Sequence, residues 1–252
     1  MTTRDDLRQQ GEALRRRLFG ENLDATARVP GLSRLMAEMV YGGVWSRPGL
    51  ELPDRMICAL AALCALGRSL PLPRHIEAGL DLGLEAQAIV EIFIQCGIYA
   101  GFSASEEAIA AAAAVFEKRG VALPQRAPRE DPLAELDRRG RALLEELHGA
   151  RGYEGYAAPG NRVTGALYPL AIEWGYGEIW NRPGLERRAR ALVAVAAFTA
   201  LRLEGQVRKF GQSARNAGLS RGEIIEAVIQ TGPYGGFAPA LNALSVLSEA
   251  LS

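Results

Sequence analysis

Two side chains are candidates for proton transfer, and the first is His75. The chain has only two histidines. An imidazole titrates near neutral pH, so it can donate or accept a proton without a cofactor. Decarboxylation of an acid activated by a carbonyl needs such a group, because the enolate-like anion must be protonated on carbon and stabilised on oxygen. We predict that His75 is the catalytic acid or base; the alternative is a hydrogen-bonded structural histidine.

The second candidate is Glu38. It precedes Tyr41 by three residues and Trp45 by seven, which places the three side chains on one face of a helix. A glutamate among aromatic rings can be partly buried with a raised pKa suited to proton transfer. We therefore predict a catalytic role for Glu38, with a solvated or ion-paired helix glutamate as the alternative.

Aromatic rings and an arginine are candidates for substrate contacts. Arg47 stands directly before Pro48-Gly49 and could hold a carboxylate through two hydrogen bonds. It could equally cap a helix end or brace an interface, and the aromatic rings could serve packing alone. The predicted substrate-binding residues are Tyr41, Trp45, Arg47, Tyr99, Glu173, Tyr176 and Trp180.

These residues belong to a segment that the chain contains twice. Glu38-x-x-Tyr41-Gly42-x-x-Trp45-x-Arg47-Pro48-Gly49-Leu50-Glu51 recurs at 173–186, and Gln95-x-Gly97-x-Tyr99-x-Gly101-Phe102 recurs at 230–237. Gly11-x-Ala13-Leu14 and Leu18-x-Gly20 match 140–143 and 147–149 at a smaller offset, which indicates a short insertion near 152–159. A residue that both copies keep is expected to serve the fold, and one that a single copy has can serve chemistry.

The histidines differ between the copies. Phe210 stands at the place aligned with His75, so the fold does not require histidine there. His148 falls in the charged first helix of the second copy, and we do not assign it to the site.

The repeat predicts the domain organisation. We expect a first repeat at 1–120, a linker at 121–132 and a second repeat at 133–252. The linker holds Pro124, Pro128 and Pro132 among charges, which is typical of an exposed connection. The two repeats should pack face to face as one pseudo-symmetric body.

Apolar spacing predicts an all-α fold. Helices are expected over 32–40, 56–66, 73–82 and 86–99, with Pro53 in a first turn. Ser103-x-x-Glu106 and Ser220-x-x-Glu223 have the pattern of capping boxes at helix starts. We find no convincing alternating strand pattern.

The arrangement resembles the carboxymuconolactone decarboxylase family. The resemblance rests on Tyr41-Gly42-x-x-Trp45-Ser46-Arg47-Pro48-Gly49-Leu50, on Ala65-Leu66-Gly67-Arg68 followed by His75, and on Tyr99-Ala100-Gly101-Phe102. It implies an all-helical, oligomeric protein of the alkylhydroperoxidase D-like type. It also implies either cofactor-free decarboxylation of a lactone acid or thiol-based peroxide reduction, since one fold hosts several chemistries.

The cysteines argue against the peroxidase branch. That chemistry needs a CxxC pair just before the histidine, whereas the positions before His75 hold Arg68, Ser69 and Leu72. Cys58 and Cys64 lie on an apolar helix, as expected for buried thiols.

The function predicted is therefore a cofactor-free lyase acting on a small carbonyl or lactone acid. The apolar stretch at 69–73, just before His75, favours a larger and less charged substrate than a small dicarboxylic lactone. Decarboxylation, isomerisation and cyclisation remain open as reactions. The alternative is a non-catalytic binding or scaffold protein of the same fold.

Composition limits the partners. Lys plus Arg and Asp plus Glu both number 29, so no electrostatic case exists for nucleic acid or an anionic membrane. Three cysteines without a CxxC pair indicate a reduced, cytoplasmic protein. We expect a small-molecule substrate and no metal or cofactor. Family resemblance implies a homo-oligomer: a trimer of tandem chains packed through faces such as 108–115 and 192–201, with a dimer as the competitor.

Overall fold

The computed structural model describes residues 2–20, 29–123, 128–158 and 160–251. In these ranges the chain is helical and has no strand, as predicted. The α-helices are α1 (Arg4–Phe19), α2 (Pro30–Leu35), α3 (Leu52–Ala65), α4 (Leu72–Asp81), α5 (Ala86–Ala100), α6 (Phe102–Arg119), α7 (Leu133–His148), α8 (Tyr168–Leu170), α9 (Arg187–Ala200), α10 (Glu204–Asn216), α11 (Arg221–Gly235) and α12 (Phe237–Ala250). A π-helical segment follows α2 at Met36–Trp45 and another follows α8 at Ala171–Glu178.

The two repeats pack through equivalent helices at the centre of the molecule. Helix α3 contacts α9, and the second helix after each of them packs onto the other repeat, α5 onto α9 and α11 onto α3. Every residue at 55–65 and 190–200 is buried, and many of them are alanines, which allow close approach of the helix axes. The face predicted for subunit contacts at 192–201 is therefore inside the chain, so that prediction is wrong.

Repeated glycines hold the first helix of each copy against the π-helical segment. A Cβ atom on Gly11 of α1 would lie 1.9 Å from the carbonyl oxygen of Ala37, and one on Gly42 would lie 2.1 Å from that of Leu7. In the second copy, a Cβ on Gly140 would lie 2.2 Å from the oxygen of Ile172. Both copies keep these glycines because backbone meets backbone at these points.

The π-helical geometry was not predicted. The apolar spacing at 32–40 indicated an α-helix. From Met36 onward, however, each amide bonds to the carbonyl five residues earlier and not four, as between the amide of Ser46 and the carbonyl of Tyr41. Such segments are rare and frequently lie at functional sites. Here one occurs in each copy; the first carries Tyr41 and Trp45 of the repeated motif, and the second carries Tyr176, with Trp180 in the 3₁₀ turn that follows it.

The predicted helix starts had mixed outcomes. Pro53 lies in the first turn of α3, and Ser220 with Glu223 forms a capping box, at α11. Ser103 does not cap α6, because that helix already begins at Phe102 after Gly101, which has a φ of 96°.

The connection between the repeats contains no helix among its described residues, 121–123 and 128–132. Pro124, predicted in the linker, and Pro159, predicted in the insertion, lie outside the described residues. Of the helices in the described ranges, none has the length and apolar character needed to cross a membrane.

Candidate active site

In the first copy, an aromatic cluster forms where four elements meet. The π-helical segment contributes Tyr41 and Trp45, whose ring centroids are 6.4 Å apart. Phe19, at the end of α1, packs edge-on against Tyr41 at 5.9 Å and against His75 of α4 at 5.0 Å. Tyr234, from α11 of the other copy, closes the cluster against His75 at 5.7 Å. The site is thus built across the interface between the repeats.

His75 is held in one tautomer inside this cluster. Its ring is 1% exposed, and its Nδ1 lies 2.8 Å from the carbonyl oxygen of Pro71, which can only accept a hydrogen bond. The proton therefore sits on Nδ1, and the lone pair of Nε2 faces the hydroxyl of Tyr234 at 3.3 Å. Burial lowers the pKa of His75 from 6.5 to about 4, with the charge of Arg74 acting the same way, so the ring is neutral near pH 7.

The second copy has its imidazole on the opposite wall. His148, the last residue of α7, occupies the place of Phe19, and Phe210 occupies that of His75. The two rings meet edge-on at 4.9 Å, as Phe19 and His75 do at 5.0 Å. His148 was not predicted as a site residue, although the match of Leu18-x-Gly20 with 147–149 aligns it with Phe19.

His148 is also fixed in one tautomer. The Ser213 hydroxyl donates to the carbonyl oxygen of Lys209 at 3.1 Å, so its oxygen accepts from Nδ1–H of His148 at 2.6 Å. The Nε2 lone pair then accepts from the Tyr176 hydroxyl at 2.8 Å. Burial, together with Lys209 and Arg151, lowers the pKa of His148 to about 3.

Tyr176, Trp180 and Phe210 of the second cluster line an open cavity of about 1000 Å³. Tyr99 from α5 of the first copy lies beside Trp180 and accepts a hydrogen bond from its indole Nε1 at 2.9 Å. Tyr99, Tyr176 and Trp180, three predicted substrate-binding residues, therefore belong to this second cluster, whereas Tyr41 and Trp45 belong to that of His75. Tyr234, the counterpart of Tyr99, was missed.

The match to known proteins agrees with this architecture. The model of the carboxymuconolactone decarboxylase family matches residues 30–114 and again 166–249. The chain belongs to the carboxymuconolactone decarboxylase family. It is a tandem member, with one family unit per copy.

Two curated relatives are decarboxylases. The chain is 37% identical over 87 residues to 4-carboxymuconolactone decarboxylase of Acinetobacter baylyi, which covers 34% of this chain and 65% of that protein. It is 29% identical over 83 residues to nitrosuccinic acid decarboxylase npaB of Metarhizium robertsii, covering 33% of this chain and 58% of the relative. The match thus spans about three fifths of each relative.

Glu38 does not join the aromatic cluster. Its carboxylate accepts hydrogen bonds from Arg4 of α1 at 2.6 Å and from Arg34, one turn before it, at 2.6 Å. Hydrogen bonds from Arg34 and then Arg4 lower the pKa of Glu38. The raised pKa predicted for proton transfer is therefore wrong, and the ion-paired alternative holds. Its counterpart Glu173 is half-buried on the second π-helical segment.

Arg47 braces the repeat interface. Its Nη2 and Nε bind the Glu226 carboxylate of the other copy at 2.7 and 3.0 Å, and fully buried Arg55 binds the same carboxylate at 2.9 Å. Equivalently, Arg182 and Arg190 of the second copy bind the carboxylate of Glu91 in the first copy. Of the roles considered for Arg47, the contacts favour the brace over the grip on a substrate carboxylate.

The three cysteines are free and buried. Burial raises the pKa of the Cys58 thiol, and the pKa of Cys96 is raised by its hydrogen bond with Cys64 and by burial. A thiolate is the nucleophile in peroxide reduction, so these positions are poorly suited to it.

Proposed function

We propose that the protein is a cofactor-free lyase that decarboxylates a small carbonyl or lactone acid, with His75 as the proton-transfer residue. The observation that carries the proposal is the neutral imidazole of His75, whose Nε2 faces the Tyr234 hydroxyl at 3.3 Å inside an aromatic cluster. Two curated relatives that are themselves decarboxylases support the class of reaction.

Positive charge beside the cluster suits an acidic substrate. The guanidinium carbon of Arg74 lies 5.3 Å from the ring centroid of Phe19, and that of Arg15 lies 5.8 Å from that of Tyr41. Both rings belong to the first cluster. In surroundings of low dielectric constant, such cations favour binding of a carboxylate over a neutral group.

The chemistry assigned to these residues is short. When the bond to the carboxylate breaks, CO₂ leaves and the electron pair moves to the carbonyl oxygen, giving an enolate. The positive charges of Arg15 and Arg74 beside the cluster favour the anion that forms. The substrate carbon then takes a proton from the His75–Tyr234 pair, and a proton from water restores the pair.

The test measures CO₂ release from lactone and keto acids, such as 4-carboxymuconolactone, and from nitrosuccinic acid. His75→Gln should lower turnover by about a hundredfold or more. His75→Phe, which installs the residue of the second copy, should do the same without loss of the fold. Undiminished turnover in both variants would refute the role of His75. Tight binding of an acid without CO₂ release by the wild-type protein would favour the non-catalytic alternative.

A further inference from the structure

We infer that the second copy holds a separate binding site, in the cavity of about 1000 Å³, for an uncharged, largely apolar carbonyl compound such as an aromatic ketone or lactone. The cavity lies between the second π-helical segment and the end of α5. The inference does not depend on decarboxylation at His75.

The walls and the size of the cavity favour a ligand larger than a small acid. Small-molecule pockets span about 300–1,000 Å³ and are mostly apolar, so this cavity is at the upper end of the range. Ile98 and Phe102 of the first copy line it together with Leu167 and Trp174 of the second. A compact dicarboxylic acid would leave most of this apolar surface in contact with water.

One hydroxyl at the cavity floor has its proton available for a ligand. The Tyr99 oxygen accepts from Trp180 Nε1 at 2.9 Å and from Gln95 Nε2 at 3.1 Å, which uses both of its acceptor positions. Its own proton is committed to neither bond, so it can donate to a carbonyl oxygen. The counterpart Tyr234 differs, because His75 Nε2 accepts the proton of that hydroxyl.

The charges around the cavity favour a ligand without a carboxylate. Arg182 lines the cavity, but its Nε and Nη2 bind the buried carboxylate of Glu91 at 3.0 Å, and its Nη1 lies 3.7 Å from Glu178. Two carboxylates thus neutralise this guanidinium. Bringing a further anion beside them would cost desolvation without a new partner.

Tyr176 also lines the cavity, and its hydroxyl is hydrogen-bonded to His148, 2.8 Å away. Tyr176 donates its proton to His148 Nε2, so it does not compete with Tyr99 as a donor to a ligand. The exchange of histidine and phenylalanine between the copies therefore decides which phenol can donate. In the first cluster the hydroxyl of Tyr234 donates its proton to His75, whereas in the second the hydroxyl of Tyr99 can donate to a ligand.

The competing occupant is another copy of the chain. Leu167 and Trp174 at the cavity rim are exposed, and so are their counterparts Leu32 and Met39 in the first copy. A subunit interface would use both rims alike, whereas a ligand site at Tyr99 concerns the second copy alone. This difference supplies matched controls.

The experiment titrates the full chain with prodan, an uncharged naphthyl ketone whose emission shifts to the blue in apolar surroundings. We expect saturable binding at one site per chain. Tyr99→Phe should raise the Kd by about 2- to 10-fold, the effect of one neutral hydrogen bond. Leu167→Glu, at an exposed position that tolerates the change, should raise it by about tenfold or more, whereas the matched Leu32→Glu should leave it unchanged.

A charge comparison tests the ligand class. In competition with prodan, 2-acetylnaphthalene should bind at least about tenfold more tightly than 2-naphthoate. No saturable binding, equal effects of Leu167→Glu and Leu32→Glu, or preference for the naphthoate would overturn the inference. So would light scattering showing that Leu167→Glu dissolves an oligomer while prodan binding is unchanged. None of these outcomes depends on CO₂ release, so the two proposals can fail separately.

Discussion

Three glutamates are each bound by two arginines, and the burial of these arginines predicts that the glutamates contribute unequally to stability. Glu91 accepts hydrogen bonds from Arg182 and Arg190, and its side chain is 0% exposed. Glu91→Gln keeps the shape of the side chain and removes its charge. The perturbation therefore leaves the buried guanidinium of Arg190 without its counter-ion.

The size of the effect follows from which partners water can reach. Removing one partner of a buried ion pair costs about 3–5 kcal/mol, and we expect this range for Glu91→Gln. In the equivalent Glu226→Gln, Arg55 is as buried as Arg190, and Arg47 is 42% exposed where Arg182 is 34% exposed. A similar loss of about 3–5 kcal/mol is therefore expected.

Glu38→Gln is the control. Glu38 is also bound by two arginines, but the side chains of Arg4 and Arg34 are 70% and 53% exposed. Its loss should change stability little. The assay is equilibrium unfolding in urea, followed by tryptophan fluorescence and circular dichroism at neutral pH. Equal losses for Glu91→Gln and Glu38→Gln would refute the argument that burial of the partners sets the cost.

Two further predictions concern the histidines and the glycines. Folding lowers the pKa of His75 to about 4 and that of His148 to about 3. Between pH 6.5 and 4 the unfolded chain thus binds protons that the folded chain does not. As the pH is lowered through this range, the free energy of unfolding should decrease by up to about 1.4 kcal/mol per pH unit for each histidine. In His75→Phe, unfolding should take up about one proton fewer, so the free energy of unfolding measured in urea should decrease less steeply with decreasing pH. An unchanged slope would contradict the burial argument. Gly11→Ala should cost about 1–3 kcal/mol in thermal unfolding, because the added Cβ would meet the Ala37 oxygen at 1.9 Å. Gly31→Ala, which meets open space, is the control; equal midpoints would show that α1 can move away.

Much of the fold could be predicted because the repeat and the turn residues are local signals. Pro53 and the Ser220–Glu223 capping box act within one helical turn, and both lie where expected. The π-helical segments escaped prediction, since a hydrogen bond shifted by one residue leaves almost the same apolar pattern. The helix start predicted at Ser103 was wrong, because α6 already begins at Phe102, directly after Gly101 with its positive φ.

The site was predictable only in part, because its contacts join distant residues. The pattern around Glu38 gave no sign of Arg4, which approaches from another helix and lowers the pKa of the carboxylate. The difference between the copies at His75 and Phe210 pointed to the first imidazole, whereas the difference at Phe19 and His148 lies in a weaker stretch of the repeat. Tyr234 lies 159 residues from His75, and only the packing of α11 brings it to that ring.

The exchanged histidine and phenylalanine explain how one duplicated frame can hold two unlike sites. Each cluster keeps one imidazole and one phenyl ring in edge-on contact, so packing is preserved. The imidazole of His75 faces Tyr234 from the opposite copy, whereas that of His148 faces Tyr176 of its own copy. The tyrosine contributed across the interface is therefore bound by the imidazole in the first cluster and free to donate in the second. Moving the imidazole to the opposite wall changes the proton chemistry of a cluster while both copies keep the same frame.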